Sequence, residues 1–485
     1  MKLSNIVGPE LFIPPEWDRE VVNLVTDSRD VTRGDVFIAR QGSQGHGDQY
    51  LDMAAQQGAV AALQEGGPVF RLHDRMPVFG VDSVSELPRW LKRLYTRAAD
   101  VELIAVTGTN GKSSVSQYIA QLSHHMGAPC AVLGTLGNGV WPQLQPTRNT
   151  TADLSVTLQT LHALADRAGV AAMEVSSHGL DQGRVVGLTF DVAVMTNLTQ
   201  DHLDYHGDMN SYFQAKKRLF TEFDLSAAVV CVDDDYGRQL AAGQLSAQQL
   251  LTVGRSDADV CYQVRPSDSG VSAQVSSPWG NSDIWLPLAG EFNVTNAVLA
   301  MTALAVRGAS WPALVAAAAQ LQPVAGRMER YRDVEGREAI IDFAHTPEAL
   351  VTVLAALRGQ FAKLALVFGC GGDRDRGKRP LMAQAAAQGA DAVWLTNDNP
   401  RFEAPEQIFA DVLLEPAAQA FLQQPDRRLA IADAVAHLLP GDCVVIAGKG
   451  HEPYQDVQGE KHPYSDAEVL RQLGFVPVAE VSDVS

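Results

Sequence analysis

The run Thr107-Gly108-Thr109-Asn110-Gly111-Lys112-Ser113-Ser114 constrains this chain more than any other stretch. It follows the apolar residues Leu103-Ile104-Ala105-Val106 and precedes a segment with Val115, Ile119 and Leu122 on one helical face. A strand, a glycine-rich turn and a helix in that order make a phosphate cradle, because backbone N–H groups and the helix N-terminus face the phosphate oxygens. Lys112 would neutralise the outer phosphates, and the Ser113 hydroxyl would reach magnesium. The spacing departs from the common loop, which requires glycine at position 106, where Val106 stands.

The neighbouring motifs narrow the choice among phosphate-binding proteins. Glu174 closes the apolar run Ala171-Ala172-Met173 and is followed by Ser176-Ser177-His178. A carboxylate at the C-terminal end of a strand is where an α/β ATPase holds a hard cation. The segment Asn197 to Asp204 follows the apolar run Val192–Met195 and brings His202 towards the same edge. In the helix Tyr212 to Phe220, Lys216 has Tyr212, Phe213, Leu219 and Phe220 at its i±3 and i±4 positions, which sets a cation on an apolar face. Such a lysine is costly to bury unless it snorkels, is paired or is chemically altered.

Beyond these motifs, short apolar runs alternate with helical patterns along most of the chain, which predicts an α/β protein with parallel, helix-covered sheets. A length of 485 residues predicts about three domains. The expected division is an N-terminal unit over 1–95, a central P-loop ATPase sheet over 96–325 and a C-terminal Rossmann-like unit over 326–485. Alternation from Cys261 to Leu288 predicts an added hairpin. Hydrophobic residues at 46% and charged residues at 20% exclude wholesale disorder. The net charge of −19 opposes non-specific nucleic-acid binding. Five scattered cysteines without a CxxC pair indicate neither a disulfide framework nor a zinc cage. The N-terminal residues contain no apolar signal-peptide core, and no uncharged stretch reads as a membrane span, so a cytoplasmic, soluble protein is expected.

The motifs together resemble the Mur ligase family. TGTNGKSS at 107–114, MEVSSHGLDQGRV at 173–185, TNLTQDHLDYHG at 196–207 and FNVTNA at 292–297 are similar to its ATPase domain. GRMER at 326–330 and DFAHTPEAL at 342–350 are similar to the start of its C-terminal domain. The resemblance implies an ATP-dependent ligase that activates a carboxylate as an acyl phosphate and joins it to an incoming amine, using positioning and charge stabilisation. It implies ATP contacts by Gly108, Thr109, Asn110, Gly111, Lys112, Ser113, Ser114, Asn293, Asn296, Arg327, Asp342 and His345, with Lys112, Glu174, His202 and Lys216 catalytic. It also implies Mg2+ held by Ser113, Glu174, His202 and Lys216, the lysine carrying a CO2-derived carbamate.

The same resemblance assigns Thr26, Ser28, Ser43, Gln44 and Gly45 to the uridine end of a UDP-N-acetylmuramoyl dipeptide, and Asn149, Thr150, Thr151, Ser176, Gln182 and Arg184 to its diphosphate and peptide. Asp398-Asn399-Pro400-Arg401 is similar to the signature of the branch that adds meso-diaminopimelate, and Arg374, Gly448 and Glu452 match positions around the same amino acid. Arg374 and Arg401 can clamp carboxylates, and Glu452 can accept from an ammonium group. The expected partners are these small molecules, taken up by a monomer with neither nucleic acid nor membrane insertion. A lysine-adding ligase and a folylpolyglutamate synthetase-like enzyme are the alternatives; Arg401 counts against the first and residues 1–95 against the second.

Overall fold

The structure, a computed structural model, describes residues 1–41, 45–265 and 270–478. Three large sheets follow one another along the chain, with a two-stranded hairpin, Tyr454–Val457 with Glu460–Pro463, beside the third. The first has five strands. Leu24–Val25, Val36–Ala39, Ala61–Glu65 and Met76–Val81 run parallel, and Phe70–His73 is antiparallel at the edge.

The second sheet has ten strands, with Glu102–Thr107 between Val192–Met195 and Val170–Glu174, all parallel. The register places Met195 opposite Thr107 and Glu174 opposite Val106. The loops after these strands therefore emerge side by side at the C-terminal edge, where open α/β sheets bind ligands. Burial on both faces explains why the strands read as continuous apolar runs. Side chains of Glu102–Thr107 alternate between two cores: Ile104 and Val106 pack with helices Lys112–His125 and Phe292–Ala305, whereas Leu103 and Ala105 join the core containing Phe213, Phe220 and Trp90. The alternation from Cys261 to Leu288 forms three strands, Val260–Arg265, Val271–Ser277 and Gly280–Leu286, joined antiparallel at the sheet's edge.

The third sheet has seven strands. Five are parallel, among them Glu338–Asp342, Leu364–Phe368, Ala392–Leu395 and Cys443–Ala447. Asp342 lies opposite Ala447, so Asp342, Gly448 and the loops starting at Gly369 and Thr396 share one edge. Among the described residues, no helix is long and apolar enough to cross a membrane.

Candidate active site

The C-terminal edges of the second and third sheets meet across one cavity of about 570 Å³. The phosphate loop forms one wall. Gly108 and Gly111 take φ of +148° and +85°, conformations that side chains disfavour. Thr196 and Asn197 brace the loop: Thr196 Oγ1 donates to the Asn110 carbonyl at 2.6 Å, and Asn197 Oδ1 accepts from Asn110 N at 3.0 Å. A Cβ on Gly108 would overlap Thr196 Oγ1. Gly108→Ala is therefore expected to abolish nucleotide binding, measured as ADP affinity by titration calorimetry; an unchanged affinity would show that the loop tolerates the shift.

Lys112 turns back on this loop, donating to the carbonyls of Gly108 at 3.0 Å and Thr109 at 2.8 Å. Burial draws its ammonium below the usual lysine range, with Glu174 and Asp201 opposing the shift. Ser113 Oγ donates to Glu174 Oε2 at 3.0 Å. The Glu174 carboxylate is buried and also accepts from Thr135 N at 2.8 Å and Thr135 Oγ1 at 3.1 Å. His202 sits at the same edge with its imidazole pushed down to about 3 by burial, Asp201 opposing, so it is neutral near pH 7. Hydroxyl and carboxylate oxygens suit a hard cation, and a neutral imidazole leaves a ring nitrogen free to join them. Among the described residues no cluster of three or more His, Cys, Asp or Glu side chains is arranged for a metal. The implied set differs from such a cluster because it draws on a serine hydroxyl and a modified lysine.

Lys216 lies on the helix Met209–Thr221, 1% exposed, beneath the phosphate loop rather than on the cavity wall. Its Nζ donates to the Gly108 carbonyl at 2.8 Å and stands 4.8 Å from the Tyr212 ring centre. Burial, reinforced by the charge of Lys112, holds it well below the ordinary lysine value. The neutral amine so favoured is the form that adds to CO2. A carbamate nitrogen keeps one N–H, so the Gly108 carbonyl can retain a donor.

Asn296 lines the cavity beside Gly111, whereas Asn293 stands one layer behind it. Asn293 Oδ1 accepts from Tyr118 Oη at 2.9 Å and Asn296 Nδ2 at 3.4 Å. Arg327 crosses from the third sheet's unit: its Nη2 donates to Ser113 Oγ at 3.3 Å, and its guanidinium stacks 4.2 Å from the Phe343 ring centre. Asp342 is buried and accepts from Met328 N and Ala344 N, both at 2.8 Å. His345 Nε2 stands 3.4 Å from Asp201 Oδ2.

At the other end, Arg374 and Arg401 both line the cavity. Burial and then the charge of Arg401 draw Arg374 below its ordinary value. Arg401 has φ of +52°, and its Nη1 donates to the Gly372 carbonyl at 2.7 Å. Glu452 Oε2 accepts from Asn399 Nδ2 at 2.8 Å and from Lys449 Nζ at 2.9 Å. Asp398 and Gly448 approach closely, since a Cβ on Gly448 would lie 2.6 Å from Asp398 Oδ2. Pro400 lies off the cavity wall, its carbonyl against Gly372. This end carries two cationic forks and the carboxylates of Asp398 and Glu452, groups that complement the carboxylates and ammonium groups of an amino acid.

Thr150 and Ser176 line the cavity between these ends, and Ser114 joins the phosphate loop in lining it. Thr151 accepts from Ser176 N at 2.9 Å, and Arg184 donates to the Thr151 carbonyl at 2.9 Å and to Gln182 Oε1 at 2.7 Å. Asn149 is exposed beside them. Thr26, Ser28 and Gly45 lie on the first sheet's unit, outside the cavity wall, and Arg148 reaches Asp30 there at 2.6 Å. Ser43 and Gln44 lie outside the described residues. Sequence reasoning missed Thr135, Asp201 and Lys378. Only Asp201 carried a signal, its place beside His202 in the TNLTQDH run.

The family description "Mur ligase middle domain" matches residues 106–304, and "Mur ligase, glutamate ligase domain" matches residues 326–450. The chain is similar to the UDP-N-acetylmuramoyl-L-alanyl-D-glutamate–2,6-diaminopimelate ligase of Pseudomonas aeruginosa, with 42% identity over 470 residues covering 95% of this chain and 96% of the relative. A solved structure of an enzyme with that description is 38% identical, with a TM-score of 0.66 over 97% of this chain and 98% of its own. Folylpolyglutamate synthase of Mycobacterium tuberculosis, solved with ADP, shares the fold at 21% identity and a TM-score of 0.62. That match covers 74% of this chain and 90% of the synthase.

Proposed function

The chain belongs to the Mur ligase family of ATP-dependent ligases, and on that premise we propose that it adds meso-diaminopimelate to the D-glutamyl γ-carboxylate of UDP-N-acetylmuramoyl-L-Ala-D-Glu, a step of peptidoglycan precursor synthesis. One observation carries the reading. The phosphate loop, Thr150 and Ser176, and the Arg374–Arg401–Glu452 cluster all line a single cavity. Three substrates can therefore meet in one space.

The γ-carboxylate oxygen attacks the γ-phosphorus of ATP, ADP leaves, and an acyl phosphate forms. The amine of diaminopimelate attacks the acyl carbon, phosphate departs and the nitrogen loses its proton. Lys112 balances phosphate charge, and Arg327, arriving from the other sheet, adds a second cation at Ser113. Bound Mg2+ would be held by Ser113, Glu174, His202 and carbamylated Lys216, and would screen the phosphate charge for the carboxylate's approach. Arg401 and Arg374 orient the distal carboxylate, and Glu452 takes the ammonium. Closure of the junction would exclude water from the acyl phosphate.

We assign residues 1–95 to the UDP end of the substrate, 96–325 to ATP and 326–485 to the incoming amino acid. The same reading takes the protein as a cytoplasmic monomer acting on soluble substrates. The test is ADP release with ATP and the UDP-dipeptide against a panel of amino acids. Release is expected with meso-diaminopimelate, with the tripeptide product identified by mass. Equal turnover with L-lysine, or none with diaminopimelate, would overturn the reading.

A further inference from the structure

Lys378 opens the helix Lys378–Gly389 of the C-terminal unit, and its Nζ donates to Asp201 Oδ1 at 3.0 Å. Asp201 belongs to the loop after strand Val192–Met195 of the second sheet, so the pair joins two sheets across 177 residues of sequence. Both side chains are buried, 7% and 5% exposed. The surrounding contacts cross the same junction. His345 Nε2 stands 3.4 Å from Asp201 Oδ2, Gln200 Nε2 donates to Asp375 Oδ2 at 3.2 Å, and Arg327 reaches Ser113.

Taking two charges from water is expensive and is offset only when the partners meet in good geometry; one buried without the other is strongly unfavourable. Lys378 and Asp201 have that geometry only while the two units are in register. A junction set slightly wrong would bury the same charges without their bond. The pair therefore favours one arrangement over its near neighbours, which is specificity gained through the penalty on the alternatives.

We propose that Lys378 is a positioning residue for the ligase: through Asp201 it sets the register in which the C-terminal unit closes on the phosphate loop. That register brings Arg327 to Ser113 and the amino-acid pocket to the acyl phosphate. The inference rests on the ligase reading above; Lys378 and Asp201 also line the cavity, and the role assigned to Lys378 is exerted through Asp201.

The experiment compares the unmodified protein with Lys378→Met and Lys378→Arg, by steady-state kinetics and by small-angle X-ray scattering with AMP-PNP and the UDP-dipeptide. Lys378→Met is expected to lower kcat by about ten- to a hundred-fold, with little change in KM for the UDP-dipeptide and a smaller closed fraction in scattering. Lys378→Arg keeps the charge and should recover most of both. The melting temperature should hold, because the pair lies between units rather than inside either core. If the methionine variant does not fold, Lys378→Gln supplies the same comparison. A charge-removing variant that closes and turns over like the unmodified protein would overturn the proposal, as would Lys378→Arg failing as badly as the charge-removing variant. An unmodified protein without diaminopimelate-dependent ADP release would sink the ligase reading instead, and the scattering comparison would still decide the role of Lys378.

Discussion

Lys216→Ala is expected to remove nearly all ligase activity, and acetate is expected to restore part of it. The amine is buried beneath the phosphate loop, is held to the Gly108 carbonyl at 2.8 Å, and is driven towards its neutral form by burial and by Lys112. An unmodified cation there would repel magnesium. A carbamate, formed when the neutral nitrogen adds to CO2 and releases a proton, supplies oxygen ligands in its place. Alanine removes the nitrogen and leaves a cavity, which typically costs on the order of 2–5 kcal/mol of stability for a long buried side chain. Melting curves must therefore accompany the kinetics. Acetate separates the two effects, because a small carboxylate can enter the vacated space but cannot repair a misfolded core. Full activity of the alanine variant with no additive would refute the role of this lysine.

Arg401→Ala should raise KM for meso-diaminopimelate strongly while leaving those for ATP and the UDP-dipeptide nearly unchanged. Its guanidinium lies near enough to Arg374 to draw that group below its ordinary value, both line one end of the cavity, and it is anchored by one bond to the Gly372 carbonyl. Losing a buried charged partner of a ligand carboxylate costs about 2–5 kcal/mol, or roughly 30-fold to several thousand-fold in affinity. Arg401 also takes a left-handed backbone, which alanine tolerates poorly and asparagine better. Arg401→Asn therefore tests the charge with less strain on the turn, and the two variants should agree. The substitution need not create a lysine ligase, because Arg374 and Glu452 remain shaped for the original ligand. Steady-state kinetics varying each substrate in turn gives the answer. An unchanged KM for diaminopimelate would show that the distal carboxylate is bound elsewhere.

Much of the fold was legible because its signals are local. The apolar run before Gly108 and the helical face after it are set by neighbouring residues, and they appear as strand Glu102–Thr107 and helix Lys112–His125. The apolar surroundings of Lys216 were likewise visible from i±3 and i±4 spacing alone, before its burial was known. Strands such as Cys130–Gly134 and Ala247–Gly254 were harder to see. The first lies in an uncharged stretch with no clear period, and the second has an exposed, polar half whose pairing with Leu225–Cys231 supplies its order.

The sequence by itself determined that there is a phosphate loop, which strands and helices flank it, and which residue types are available for metal, nucleotide and carboxylate chemistry. Only the tertiary structure decided which of them meet. Asn293 and Asn296 both read as nucleotide contacts, yet the Tyr118 hydroxyl holds Asn293 a layer behind the cavity. Thr135 has no motif to mark it, and it reaches Glu174 only because the strand it follows, Cys130–Gly134, pairs with Val170–Glu174 in the sheet. Lys378 reads as an ordinary basic residue at the start of a helix until the second and third sheets meet and place it on Asp201. The physical reason is range. Periodicity and turn chemistry act between residues a few positions apart, whereas a buried ion pair across two sheets depends on the packing of everything that separates them.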